Sequence, residues 1–444
     1  METTRLTLRR GGADPPSGPL MDALFPGVPS VVDWGLDRMR AALAELGDPH
    51  RRYRSLHVGG TNGKGSVAST WASVLRRDGD RTGLYTSPHL CSFRERIMVD
   101  GAPLPASRLL ETAARLRPLA RDLGMPLFEA CTLLALVVFA EEEVDTACVE
   151  VGLGGRLDAT NVIEPEVAAV TNVALDHQEY LGDSLEGIAR EKAGIIKPGV
   201  PVVTAEERPS VLSVLESRAR EVGAPFHRIE PGRHISALRH GRQGTRFTLR
   251  AGTGRDLRLE TPLPGAHQAT NAALAVRALE LLGQPPSPES VRAGVAEVRW
   301  PGRGQALRVE GRRYVFDVAH NRAAVGALVN VLAGLAPPRP LVVLAGILED
   351  KDWDRMLPPL VRVADRVVLT TPASAPPGRR WRPHAAAARV GAGAGGAVPV
   401  EVVREVGPAV GRAAALAGNG TVVVTGSCHT VGDALRVLGV NPFG

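Results

Sequence analysis

Through the first half of the chain, short apolar runs alternate with stretches whose apolar residues recur at helical spacing. Residues 55–58, 82–86, 146–151, 167–173 and 200–204 read as strands. Residues 36–46 repeat Leu36, Met39, Leu43 and Leu46, and the run from Ser66 repeats Val67, Trp71, Val74 and Leu75, so both read as helices. Further helices are expected over 107–123, 129–143 and 184–193. Strands alternating with helices predict a parallel sheet covered on both faces. Between 234 and 263 the period shortens to alternation in HISALRH, TRFTLRA and DLRLETPL, which predicts a small antiparallel patch. A helix follows over 269–282, with Asn271 in its first turn. Trp300-Pro301-Gly302-Arg303 breaks the pattern, and we place a domain boundary there, dividing 1–299 from 300–444. Beyond it the alternation resumes, with strands at 314–317, 341–345, 366–370 and 421–425. The expected fold class is α/β: an N-terminal P-loop-type parallel sheet with an antiparallel β patch, then a smaller Rossmann-like α/β domain. Residues 1–20, rich in Gly, Pro and Arg, are expected to be disordered. The Gly/Ala-rich stretch 372–398, with Arg379, Arg380 and Arg382, is read as a loop or loose helix without chemistry.

Composition narrows the function. At 444 residues the chain is too long for one core. Aromatic residues are only 4%, which argues against a stacking platform for nucleic acid. The net charge of +6 is spread along the chain and suits anionic small substrates. Cys91, Cys131, Cys148 and Cys428 form no CxxC pair, so neither a zinc site nor a disulfide framework is expected, in keeping with the cytoplasm. The N-terminus has no apolar signal segment, and the apolar run 133–140 is too short to span a membrane.

One stretch carries the clearest chemistry. The strand 55–58 enters a glycine-rich turn (Gly59, Gly60, Gly63 and Gly65 around Lys64) and leaves in a helix. Turn N–H groups and a helix N-terminus aimed at one point make an anion cradle, to which Lys64 adds a mobile cation. The Walker spacing G-x-x-x-x-G-K-[ST] is missed: Gly59 sits one residue too near Gly63, and Gly65 separates Lys64 from Ser66. In a parallel sheet ligands bind at the carboxyl edge, and the turn, Ser87, Glu150 and His177 each follow a strand. Glu150 beside a phosphate cradle suits Mg²⁺, although a strand-end carboxylate can also serve as a plain charge facing the next element. Ser87 fits either a hydroxyl ligand or Ser-Pro turn chemistry, and His177 by itself reads as a structural histidine. Lys192 reads as a helix-end cation. Asp317 and His320 follow the second domain's first strand, where they could reach an interdomain cleft or cap a turn.

Taken in order, several segments resemble the folylpolyglutamate synthase and dihydrofolate synthase family, a branch of the Mur-ligase-like amide ligases. They are Gly60-Thr61-Asn62-Gly63-Lys64-Gly65-Ser66; Thr86-Ser87-Pro88-His89-Leu90 with Glu95-Arg96-Ile97; Glu150 through Asn161; Asp176-His177; Glu191-Lys192-Ala193-Gly194-Ile195-Ile196-Lys197; Gly265-Ala266-His267-Gln268 with Asn271; and Pro301-Gly302-Arg303. The resemblance implies an ATP-dependent ligase that activates a carboxylate as an acyl phosphate and joins it to L-glutamate. The acceptor would be dihydropteroate or a folate, in a monomeric enzyme with no nucleic-acid or membrane partner. Thr61, Asn62, Gly63, Lys64, Gly65 and Ser66 would hold ATP phosphates, and Asn271, Arg303, Asp317 and His320 would contact ATP from the domain interface. Mg²⁺, as two ions, would be held by Ser66, Ser87, Glu150 and His177, and by Lys192 as a carbamate. Lys64, His177 and Lys192 would be the catalytic residues, and Phe128, Asp158 and Ala159 would line the pterin pocket. Two places depart from the family pattern. Asp317-Val318-Ala319-His320-Asn321-Arg322 stands where the family reads Asp-Gly-Ala-His-Asn-Pro, and Cys428-His429 replaces an apolar–aromatic pair. The alternatives are a related Mur-type ligase acting on another carboxylate, or a nucleotide-binding module without catalysis.

Overall fold

Strands that are apolar on both faces must be covered on both faces, and the first sheet meets that demand with helices. The computed structural model of the protein describes residues 17–250, 252, 254, 256–393 and 398–443. Its first strands are β1 (Arg54–Gly59), β2 (Thr82–Tyr85), β3 (Ile97–Val99), β4 (Ala102–Pro103), β5 (Thr146–Glu150), β6 (Val167–Val170), β7 (Val202–Thr204) and β8 (Phe226–Arg228). They form one sheet in the order β4-β3-β2-β5-β1-β6-β7-β8, parallel except for β3 and β4. Next, β9 (Ile235–Gly241), β10 (Gly244–Arg250) and β11 (Asp256–Thr261) make the expected antiparallel patch. Its Phe247, Leu249 and Leu259 share a core cluster with the helix Ala266–Leu279. The last strands are β12 (Gln305–Val309), β13 (Arg312–Phe316), β14 (Leu341–Ala345), β15 (Arg366–Thr371), β16 (Val400–Glu405) and β17 (Thr421–Thr425). They form a second α/β sheet in the order β12-β13-β17-β14-β15-β16, antiparallel only at β12.

Register decides where the chemistry lies. β1 pairs Val58 with Glu150 of β5 and Gly59 with Val170 of β6. The glycine turn, Glu150 and the segment after β6 therefore leave the sheet at one edge. The helix Lys64–Asp78 that follows the turn is buried along most of its length, and its Trp71 Nε1 donates to Ala275 O at 3.0 Å. Across the edge, Leu90 and Cys91 pack into the core cluster of the second sheet, beside the helix Cys428–Val437.

The structure differs from the sequence reading in several places. The strand expected over 167–173 ends at Val170, because the next residues turn to grip the glycine turn: Thr61 N donates to Asn172 O at 2.8 Å and Ala174 N to Thr61 Oγ1 at 2.9 Å. Residues 1–16 of the expected disordered stretch lie outside the described residues. Ser17–Leu24, however, is a helix whose Leu20 and Leu24 are buried, with Arg117 Nε donating to Leu24 O at 2.9 Å. The stretch read as lacking chemistry contains a helix at Pro383–Gly393, anchored by buried Trp381, whose Nε1 donates to Thr370 O at 2.7 Å. Its Ser374 and Arg379 line the cavity described below.

Candidate active site

The glycine turn is held open by its own backbone. Gly63 has φ +90° and caps the helix Lys64–Asp78, and a Cβ there would come within 2.6 Å of Asn271 Oδ1. Glycine alone satisfies both the angle and the contact. The turn is pinned from behind, with Asn62 N donating to Asn172 Oδ1 at 3.1 Å and Asn172 Nδ2 to Asn62 O at 2.9 Å. Lys64 Nζ folds over it, donating to Gly60 O at 3.2 Å and Thr61 O at 3.3 Å.

Around the turn, polar and titratable side chains arrive from separate segments of the chain. Glu150, the last residue of β5, is 5% exposed, with Oε1 4.0 Å from Lys64 Nζ and Oε2 accepting from Ser87 N at 3.3 Å. Burial pushes its carboxyl up, against the pull of Lys64. Lys192, at the end of the helix Leu185–Ala193, is 4% exposed and donates to Gly60 O at 2.9 Å. Burial, with the neighbouring Lys64 ammonium, brings its amine down to about 7. It is not the solvated helix-end cation that its position suggests. His177 has φ +50° and caps a short helix, and burial with the nearby Lys351 lowers its imidazole to about 4. Ser66 Oγ is buried and has no hydrogen-bond partner among the described residues.

The second sheet closes the opposite wall. Asp317, just past β13, accepts from Gly304 N at 2.8 Å and Ala319 N at 2.9 Å, and burial raises its carboxyl to about 6 despite Arg303. Arg303 is held over the Trp300 ring, 5.9 Å from its centroid, and Asn271 Nδ2 donates to Gln268 Oε1 at 3.0 Å. Val318, where the family has glycine, is buried with an ordinary φ, and its N–H donates to Gly302 O at 3.0 Å. Asn321 caps the helix Arg322–Leu335, accepting from Ala324 N at 2.9 Å, so the cap does not depend on proline.

A clamp missed in the sequence joins the two sides. Buried Asp176 receives Lys351 Nζ at 2.6 Å, Asn321 Nδ2 at 3.0 Å and His320 Nε2 at 3.3 Å, all from the second sheet's loops. Asn321 Nδ2 also donates to Asn62 Oδ1 in the glycine turn at 3.0 Å. Burial alone would push the Asp176 carboxyl up, but His320 and Lys351 hold it well below the usual carboxylate range. Lys351 follows β14, so the carboxyl-edge rule contained the signal that would have found it. Removing one partner of a buried pair strands the other. Lys351→Met is therefore expected to lower unfolding stability by about 3 kcal/mol, and Asp176→Asn/Lys351→Met to recover most of it, as read by urea denaturation. Additive losses in the double variant would show that the pair is not coupled.

At the far end Phe128, from the helix Leu127–Glu141, packs against Gly152 and Tyr85. Asp158 is buried and already accepts from Thr160 N at 3.0 Å, Thr160 Oγ1 at 2.5 Å and Leu153 N at 2.8 Å. Its carboxylate thus folds the loop that presents Ala159. Every site residue nominated from the sequence lines one cavity of about 920 Å³, which both sheets enclose. Such a volume suits two small substrates held together.

Residues 58–279 match the Mur ligase middle domain, and 302–428 match the Mur ligase glutamate ligase domain. The folylpolyglutamate synthase of Lacticaseibacillus casei is 38% identical over 343 residues, covering 75% of this chain and 80% of that protein. A Mycobacterium tuberculosis folylpolyglutamate synthase complexed with ADP superposes with a TM-score of 0.87 at 34% identity, over 96% of this chain and 98% of the other. Escherichia coli FolC in complex with DHPP and ADP superposes at 0.83 and 33% identity, with the same coverage.

Proposed function

We propose, from the premise that this chain belongs to the folylpolyglutamate synthase and dihydrofolate synthase family of Mur-type ligases, how its cavity performs that family's chemistry. The protein is an ATP-dependent ligase joining glutamate to a folate-type carboxylate. The observation that carries the residue assignment is the meeting of Lys64, Glu150 and Lys192 at the Gly60 end of the turn, with His177 lining the same cavity. The division at residue 300 is part of the same reading, supported by family matches that stop at 279 and restart at 302.

ATP lies with its phosphates over the turn, held by the N–H groups of residues 61–66, Lys64 and Ser66. Asn271, Arg303, Asp317 and His320 meet it from the interface. The pterin acid lies between Phe128 and the Ala159 loop, with its carboxylate toward Lys64. A carboxylate oxygen attacks the γ-phosphorus, the bond to the β–γ bridging oxygen breaks, and ADP departs from an acyl phosphate. The glutamate nitrogen attacks the acyl carbon, phosphate leaves, and the nitrogen sheds its proton. Lys64 offsets charge on the transferred group throughout. The Asp176–Lys351–Asn321 clamp keeps the walls together, so the acyl phosphate meets the amine before water.

Two Mg²⁺ ions complete the reading. The donors fit: Ser66 has an unpartnered buried hydroxyl, and Ser87 and Glu150 offer the oxygens Mg²⁺ prefers. His177 joins that set, and Lys192, once carbamylated, supplies the second ion's carboxylate. When bound, the metal neutralises charge building on the phosphates. A phosphate-release assay with ATP and glutamate tests the whole reading. We expect turnover to rise at least roughly tenfold on adding dihydropteroate or tetrahydrofolate, since binding energy of the correct acceptor assembles the site. Equal release with and without a pterin would overturn the acceptor assignment.

A further inference from the structure

Among the aromatic residues that line the cavity and that the mechanism does not use, two meet each other: Trp300 and Phe443. Both pack against the core cluster that contains Val67 and Trp71, yet both also face the cavity. The indole lies against the first turn of the helix Lys64–Asp78. A Cβ on Gly65 would come within 2.5 Å of Trp300 Cζ2, so Gly65 leaves the space that the indole fills. Phe443 meets Trp300 edge-on, with ring centroids 6.4 Å apart and planes at 62°. Arg303 stands over the same indole. Trp300 Nε1 is buried and makes no hydrogen bond among the described residues. A phenyl or leucine side chain could pack against Gly65 without losing that donor. The large flat ring is what the position retains.

The ends of the glycine turn orient a nucleotide. Lys64 and Lys192 both donate to Gly60 O, and Glu150 is beside Lys64, so the reactive phosphate belongs at the Gly60 end. Asn271 and Trp300 abut Gly63 and Gly65, at the other end. A nucleotide stretched over the turn carries its base there. Purines bind on aromatic faces and beside guanidinium groups. We propose that Phe443, on the C-terminal tail, and Trp300 form the seat for the purine base. The tail thereby becomes part of the nucleotide site. This inference rests on the nucleotide reading above.

Calorimetric titration of the full-length protein with ADP and Mg²⁺ tests it, comparing wild type with Phe443→Tyr, Phe443→Leu and Phe443→Ala. Stacking predicts that Tyr binds within about twofold of wild type, while Leu and Ala bind roughly five- to a hundredfold more weakly. Leucine keeps the apolar volume but has no π face. Leu binding as tightly as Phe would make the residue a structural filler and overturn the proposal, as would unchanged affinity in Ala. Melting curves without nucleotide check folding, and if Ala is destabilised the Leu and Tyr pair decides. Wild type failing to bind ADP would instead overturn the nucleotide reading itself.

Discussion

Lys64→Ala is expected to leave a folded enzyme whose ATP-dependent phosphate release falls by roughly 10³-fold, the scale of a charge that stabilises a transferring phosphoryl group. Lys64 is the first residue of its helix, where the dipole already presents about half a positive charge. A cation in that position is unfavourable by about 0.3–1 kcal/mol. Its Nζ contacts are two carbonyls of the turn and a carboxylate 4.0 Å away, so the fold loses little without it. The lysine sits where folding alone would not put one. Its value appears when phosphates arrive, because a flexible ammonium can follow the γ-phosphate as charge redistributes. Arginine is not expected to rescue, since a planar guanidinium fork replaces a compact ammonium that can turn freely on its stem. Steady-state phosphate release and a melting curve check both halves. Activity within tenfold of wild type would sink the assignment of this turn.

Local chemistry was legible in the sequence and long-range chemistry was not. β1, β5 and β6 are runs of apolar residues that read as strands, although β6 stops three residues short of its apolar run, and the carboxyl-edge rule then gathered Ser87, Glu150 and His177 into one cavity. β3, β4 and β8 went unread because two or three residues at a sheet edge carry no period. β12 and β16 are half-exposed edge strands, and the helices Pro209–Glu221 and Val406–Ala417 fall in stretches where alanine and charge blur the stripe. Lys351 and Asn321 gain their meaning only from Asp176 and Asn62, more than 140 residues away. Phe443 reads as a tail residue until it lands on Trp300. Lys192 is the sharpest case. Its position at a helix end reads as solvated, and only burial against Gly60 and Lys64 gives it another character.

That character sets a second large effect. An ordinary lysine titrates near 10.4, so at pH 7 only about one in several thousand carries a free amine. With Lys192 brought down to about 7, a far larger share does. Carbon dioxide reacts with the neutral amine, so the lowered Lys192 is the basis for the proposed carbamate, which would exchange a cation for an anion beside the phosphates. Intact mass measurement in bicarbonate is expected to show one added CO₂ in wild type and none in Lys192→Ala, with turnover in the variant down by roughly 10²-fold or more, as for loss of one preorganised charge. A wild-type protein without the adduct, or a variant that keeps it, would refute the carbamate. The same burial gives a stability signature whose sign can be worked out. Below pH 7 folded and unfolded chains both carry the proton, and the folded chain bears the full cost of a buried ammonium. Between about 7 and 10.4 the folded chain releases it while the unfolded chain keeps it, so stability rises with pH across that window. In CO₂-free buffer Lys192→Met should therefore raise the melting temperature, and by more at pH 6 than at pH 9. An equal gain at both would mean that the amine is not destabilised by burial, and would remove the physical basis for its carbamylation.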